Sequence, residues 1–185
     1  MECMAIHELP DFILGVFMIA GFLRGRDSII GGSYYALVAG LTFIGSSTVQ
    51  LLLGVQLEAL EFLAMLIFSI IPERFLATSK GRGVSYISFV SVIFITLLVV
   101  AVKKDTAYFR VGTLLLVSIM MGRLYLHPEV VGKGMTEALV FSSGSALLGA
   151  VAFLIDLRIF SNFMYFTAIL LLLMVTVEKS MELGA

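Results

Sequence analysis

Charge is the scarcest commodity in this sequence: only 14% of its residues are Asp, Glu, Lys or Arg and 60% are hydrophobic. Soluble domains carry about 25% charged residues, so a water-soluble globular fold is excluded by composition. No excess of either sign exists, with a formal net charge of -1. That balance leaves no basic face for nucleic acid and no acidic tail. There is one cysteine, Cys3, which excludes an internal disulfide, a thiolate zinc cluster and a paired-cysteine redox motif. A terminal cysteine beside an apolar segment has acylation as its one functional alternative. Histidine is nearly absent too: His7 and His127 are the two present, and no second histidine or carboxylate stands at ligand spacing near His127. The opening MECMAIHELPD contains no Lys or Arg, so it lacks the basic leader of a cleaved signal peptide and the first apolar segment is expected to be retained.

What fills the chain is apolar sequence in lengths suited to a bilayer. A hydrocarbon layer about 30 Å thick requires about 20 apolar residues of a helix. The cleanest such run is VSYISFVSVIFITLLVVAV, from Val84 to Val102. Hydropathy and punctuation predict helices over 9–23, 28–46, 49–71, 84–102, 108–126, 135–155 and 160–177. The connectors RGRD (24–27), SST (46–48), PERFLATSKGRG (72–83), KKDT (103–106), HPEVVGKG (127–134) and DLRIFSN (156–162) carry the proline, paired glycine and clustered charge of loops. None could hold a second domain. The expected architecture is a single all-α polytopic transmembrane bundle of six to seven spans covering residues 1–185.

Orientation follows from the distribution of bases next to short loops. With seven spans, Lys103, Lys104, Arg110 and Arg158 lie on the N-terminal side, and Arg24, Arg26, Arg74, Lys80, Arg82, Arg123, Lys133 and Lys179 on the other. The larger group marks the cytoplasmic side, which places the N-terminus outside. The first segment is the short one, because Phe12 to Leu23 covers only about 18 Å at 1.5 Å per residue. If it lies in the interface, six helices span and both termini share the cytoplasmic side.

In lipid, helices approach closely where small residues line up. Gly32, Ala36 and Gly40 recur every fourth residue on the second predicted helix, and Ala138, Ser142, Ser145, Gly149 and Ala152 share one face of the sixth. Both stripes fit packing within the bundle, and both fit an interface with a partner or a second copy. The stretch FSSGSALLGA on the sixth helix superficially resembles the serine elbow of an intramembrane protease. Such chemistry needs a histidine on another helix, whereas His7 sits at the N-terminal end and His127 in a loop.

Two carboxylates interrupt the third apolar run, LLLGVQLEALEFLAMLIF. At about 100° per residue, Gln50, Gly54, Glu58 and Glu61 form one polar stripe spanning about 80°. An ionised acid in hydrocarbon costs several kcal/mol unless it is paired, protonated or wetted, and two neighbouring acids repel. Three readings follow. The helix begins late, near Leu57, with both acids at its N-terminal end in the headgroups, where the helix dipole favours them. Alternatively, they are locked to a buried base, for which Arg123 on the fifth helix is the candidate. Or Glu58, Glu61 and Gln50 form the proton or cation site of a small transporter or channel subunit. Arg123 also has a bland reading, snorkelling from the end of its helix, as do Glu137 and Asp156 at the two ends of the sixth.

Three short pieces carry a resemblance to a known family. They are Asp11 to Val16 (DFILGV) with the basic turn Arg24-Gly25-Arg26, the exit Phe68 to Pro72 (FSIIP) followed by Lys80 and Arg82, and the late run Ile169 to Val175 (ILLLLMV). In this order they resemble the small hydrophobic nonstructural membrane protein 2A of flaviviruses. The resemblance implies a non-enzymatic polytopic protein of the endoplasmic reticulum that helps build replication membranes and assemble particles. It assigns a functional role to no residue.

The residues themselves lead to a compatible expectation. There is no nucleophile with a base, no metal cluster, no phosphate-cradling loop and no room outside the membrane for a soluble active site. The sequence therefore reads as a membrane scaffold or subunit of a membrane-bound assembly, without cofactor, whose partners are the bilayer and other membrane proteins or itself.

Overall fold

The computed structural model describes the backbone of residues 2–23, 34–55, 57–76, 82–126 and 135–182, and the side chains of 9–23, 34–55, 57–69, 87–126 and 135–174. Gly32, His127 and the loop bases Arg24, Arg26, Lys80 and Lys133 lie outside the described residues, as do the side chains of Cys3 and His7.

The described chain is all helical: α1 (Glu2–Leu23), α2 (Tyr34–Leu53), α3 (Glu58–Leu76), α4 (Arg82–Lys103), α5 (Phe109–Tyr125), α6 (Thr136–Leu154) and α7 (Arg158–Glu182), with a 3-10 turn at Thr106–Tyr108. Helix is the expected solution for so apolar a chain, because each peptide group is satisfied within its own segment. Tyr34–Leu53, Thr106–Tyr125 and Thr136–Leu154 are long and apolar enough to cross a membrane, while the apolar stretches Leu9–Leu23, Ile87–Lys103 and Arg158–Met174 are shorter.

Two predicted boundaries move within α2 and α3, beside an earlier start of α1 at Glu2 and a later end of α7 at Glu182. The SST stretch is not a turn but an interior part of α2. Ser46 Oγ donates to the Phe43 carbonyl at 3.0 Å and Thr48 Oγ1 to the Ile44 carbonyl at 2.6 Å, so these hydroxyls bond back to the preceding turn and leave the helix intact. The helix ends instead at Gly54, whose φ of +67° is the left-handed cap that glycine adopts without a Cβ penalty. Gly54 N–H closes the last turn on the Gln50 carbonyl at 2.9 Å. The second shift is at the other end of α3, which continues through Pro72 to Leu76 rather than leaving at Ile71.

Packing closes six of the helices into a ring in the order α1, α2, α3, α5, α6, α7 and back to α1. Helix α4 lies outside it, against α5 and the Thr106–Tyr108 turn. Ring neighbours are held by close backbone approach and by hydroxyls. A Cβ on Gly40 would lie 2.8 Å from the Gly15 carbonyl and 2.9 Å from Ile19, and one on Gly15 would meet the Gly40 carbonyl and Ile44. As residue numbers rise along α1 their partners fall along α2, so the two run antiparallel. The α6–α7 hairpin turns at Asp156 (φ +61°), and Ser142 Oγ donates to the Ala168 carbonyl at 3.0 Å while Ser161 Oγ donates to the Gly149 carbonyl at 2.8 Å. The α6 serines thus act as packing groups: Ser143 Oγ likewise donates to the Ser118 carbonyl at 2.9 Å. Ala36, Gly40, Ser142, Gly149 and Ala152 are buried and Ala138 and Ser145 half-buried, so both small-residue stripes serve contacts within this chain.

Helix α4 presents Ile87, Val90, Phe94, Leu97 and Leu98 outward, with Phe94 67% exposed. Its inner side is seated by Gly112 on α5, where an added Cβ would run into Thr96 and Phe62.

Gly40→Val should lower stability in detergent by about 1–3 kcal/mol through overpacking of the α1–α2 contact. Gly45→Ala, where an added Cβ meets nothing within 4 Å, should leave the unfolding midpoint unchanged; equal effects of the two would contradict this contact.

Candidate functional site

The polar side chains of the ring converge on one arginine. Arg110, the second residue of α5, is 2% exposed. Its Nε donates to Glu58 Oε2 at 3.0 Å and its Nη2 to Glu61 Oε2 at 3.1 Å. Its Nη1 donates to Asn162 Oδ1 on α7 at 3.3 Å, and its Nη2 stands 3.9 Å from Asp11 Oδ2 on α1. The guanidinium lies over the Tyr165 ring, 4.8 Å from its centroid. Two further bonds complete the network: Gln50 Nε2 donates to Glu61 Oε1, and the Tyr165 hydroxyl donates to Asp11 Oδ1. Asp11, Gln50, Glu58, Glu61 and Tyr165 are all at most 5% exposed. Five helices, α1, α2, α3, α5 and α7, thereby meet through side chains at a single point.

Local structure explains how. The break at Gly54 makes Glu58 the first residue of α3, so both glutamates occupy its first turn, where the helix dipole favours anions by about 0.3–1 kcal/mol. Arg110 also stands in a first turn, where the dipole disfavours it by a similar amount. Charge-assisted hydrogen bonds are worth about 1.5–3 kcal/mol each, so its bonds to the two glutamates outweigh that penalty. Arginine suits the task because its planar fork serves several acceptors at once.

The candidate residues fall out differently from their sequence pattern. Glu58, Glu61 and Gln50 do come together, yet Gln50 is on α2 and the glutamates on α3, so the stripe expected on one helix is an interhelical contact. The base is Arg110 and not Arg123. In the sequence Arg110 counts only among the bases of the N-terminal side, close behind KKDT. The Asp105 carboxylate, accepting from Ala107 N–H at 2.9 Å, starts the 3-10 turn early enough to carry Arg110 inward. Arg123 is half-buried in the last turn of α5, far along the helix from this cluster. Asp11, Asn162 and Tyr165 were not singled out as site residues. Asp11 in an apolar context was the one legible signal; a tyrosine or asparagine inside an apolar helix announces no partner.

The arrangement thus combines two of the sequence readings. The acids begin α3, as in the headgroup reading, and they are buried on a base, as in the locking reading. Chemically the cluster offers ionic cross-linking. No group of three or more His, Cys, Asp or Glu side chains suited to a metal occurs among the described residues. No protein-family model, curated protein or solved structure matches this chain.

Burying ions is expensive, and removing one partner leaves the others uncompensated at about 3–5 kcal/mol. Arg110→Leu should therefore destabilise the purified protein by about that amount, and Arg110→Lys by somewhat less, measured as loss of the folded fraction in detergent. A double-mutant cycle between Arg110→Leu and Glu61→Gln should give a coupling of about 0.5–3 kcal/mol. A coupling of zero would remove Arg110–Glu61 from the structural account.

Proposed function

We propose that this protein is a multi-pass, non-enzymatic integral membrane protein that acts as a scaffold or subunit of a membrane-bound assembly. The observation that carries this reading is the five-helix polar network: Asp11, Gln50, Glu58, Glu61 and Arg110, all buried, link helices of this chain to one another. Glu58 and Glu61 each accept from Arg110, which argues against their use as freely exchanging sites along a conduction path. The transporter or channel reading draws on the same two glutamates and is the weaker for it. Six to seven spans remain the proposed topology, since the three helices of full length stand beside shorter apolar stretches in α1, α4 and α7. The viral reading adds a location, the endoplasmic reticulum, and a task in replication membranes and particle assembly; it rests on the resemblance alone.

A scaffold needs a face for its partners. The outer side of α4, with Ile87, Val90, Phe94, Leu97 and Leu98 exposed, is the proposed contact because α4 stands clear of the ring.

The test uses a Cys3→Ser background. Cysteines at Val90 and Phe94 should give specific cross-linked adducts in native membranes, with a second copy or another membrane protein, while a cysteine at the inward Thr96 should not. Reconstituted vesicles should show no proton or sodium flux above lipid alone. Flux that Glu61→Gln abolishes, with no α4 adducts, would overturn the scaffold reading in favour of transport.

A further inference from the structure

Four apolar stretches stop or start at one place in this chain. Ile87–Lys103 and Thr136–Leu154 end there, and Thr106–Tyr125 and Arg158–Met174 begin there. The two turns that join them touch each other: the Tyr108 hydroxyl donates to Asp156 Oδ1 at 3.3 Å, and Arg158 Nη2 stands 3.7 Å from Asp105 Oδ2. On the proposed reading of the chain as membrane-spanning, on which this inference rests, the ends of the apolar stretches mark the level of the lipid headgroups.

Three bases stand at that level, Lys103, Lys104 and Arg158, all exposed. Two of them are seated on aromatic faces. Lys103 Nζ lies 5.4 Å from the centroid of the Tyr108 ring and the Arg158 guanidinium 5.7 Å from that of Phe153, and the two rings pack edge to face at 5.3 Å. A ring face attracts a cation through its quadrupole, which holds the base in place and leaves its N–H groups unspent. The neighbouring carboxylates do not take them either. Arg158 Nη2 is 3.7 Å from Asp105 Oδ2 and 4.0 Å from Asp156 Oδ1, both beyond hydrogen-bond reach. Each acid has a neutral donor instead, since Asp105 Oδ1 accepts from Ala107 N–H at 2.9 Å and Asp156 Oδ1 from Tyr108. Among the described residues, no acceptor takes a hydrogen bond from the side chains of Lys103, Lys104 or Arg158.

Charge and surroundings specify what fits those donors. Three bases against two acids leave one positive charge, which a ligand with a net negative charge cancels and a zwitterion does not. Phosphate oxygens accept from guanidinium and ammonium groups in short, charge-assisted bonds. The surface on either side is apolar, with Val102 exposed before one turn and Ile155, Leu157 and Ile159 exposed at the other. That surface suits acyl chains and not a hydrated ion. From the juxtaposition of Lys103, Lys104 and Arg158 with the Tyr108–Phe153 shelf and this apolar rim, the geometry points to a binding site for an anionic phospholipid. Its phosphate takes the unspent N–H groups, and its chains lie against the turn joining α6 and α7.

The test uses the full chain purified in a neutral detergent. It is given an equimolar mixture of phosphatidylglycerol and phosphatidylcholine, and the lipid it retains is counted by native mass spectrometry. The wild-type protein should retain phosphatidylglycerol in preference. Lys103→Gln, Lys104→Gln and Arg158→Gln should each lower that preference by up to about fivefold, the worth of one base beside anionic lipid, and the triple variant should lose it. Lys104 makes no side-chain hydrogen bond or ion pair among the described residues, so its variant keeps the test sound if Arg158→Gln does not fold. Arg123→Gln, in the last turn of α5 and away from these turns, should retain the wild-type preference. No preference in the wild-type protein, or an equal loss in Arg123→Gln, would overturn the site. Displacement of the lipid by millimolar inorganic phosphate would make it a site for soluble anions and overturn the lipid assignment. A chain that fails to insert into vesicles overturns the membrane reading and this inference with it, whereas insertion without a lipid preference overturns this inference alone.

Discussion

One guanidinium fixes the geometry of this bundle. Arg110 has acceptors from α3 and α7 in hydrogen-bond contact and α1 within ionic range, and a planar fork tolerates little rotation without losing one of them. Apolar packing cannot provide such a constraint in lipid, because a greasy helix surface is as content against acyl chains as against another helix. Direction and register must come from elsewhere. Here they come from the ionic cluster at one point and from small residues along the seams, with Gly15 against Gly40 between α1 and α2 and Gly112 under Thr96 between α4 and α5.

The two devices divide the work. Glycine contacts set how near two helices come but tolerate sliding along the axis. Directed bonds such as Ser142 to the Ala168 carbonyl and Ser161 to the Gly149 carbonyl stop the slide in the α6–α7 hairpin. Around Arg110 the same principle acts across the ring, where no short connector exists to enforce it. Gln50 belongs to this scheme: by donating to Glu61 it ties the end of α2 to the beginning of α3 across the Gly54 break.

Composition and hydropathy made the all-helical class and the seven helices among the described residues legible, because both follow from the length and polarity of segments. The breaks were less so. Serine and threonine are turn formers in water, yet inside α2 they satisfy themselves on the previous turn, and the sequence looks the same in both cases. Glu58 and Glu61 were visible as a site because acids inside an apolar run are costly wherever they go. Their partner was not, since the choice between Arg110 and Arg123 depends on which end of α5 meets the start of α3. That is a matter of ring order, and ring order leaves no periodic trace in the chain. Tyr165 and Asn162 were hidden for the same reason.

The placement of α4 outside the ring has a consequence for how the protein is made. Glu61 and Arg110 are separated by 49 positions along the chain, and α4 is synthesised between them without joining the seam they form. For that interval the ribosome has delivered two acids into a nascent segment whose counter-charge does not yet exist. The seam can close only once α5 has been made, and the order of synthesis becomes part of the folding route.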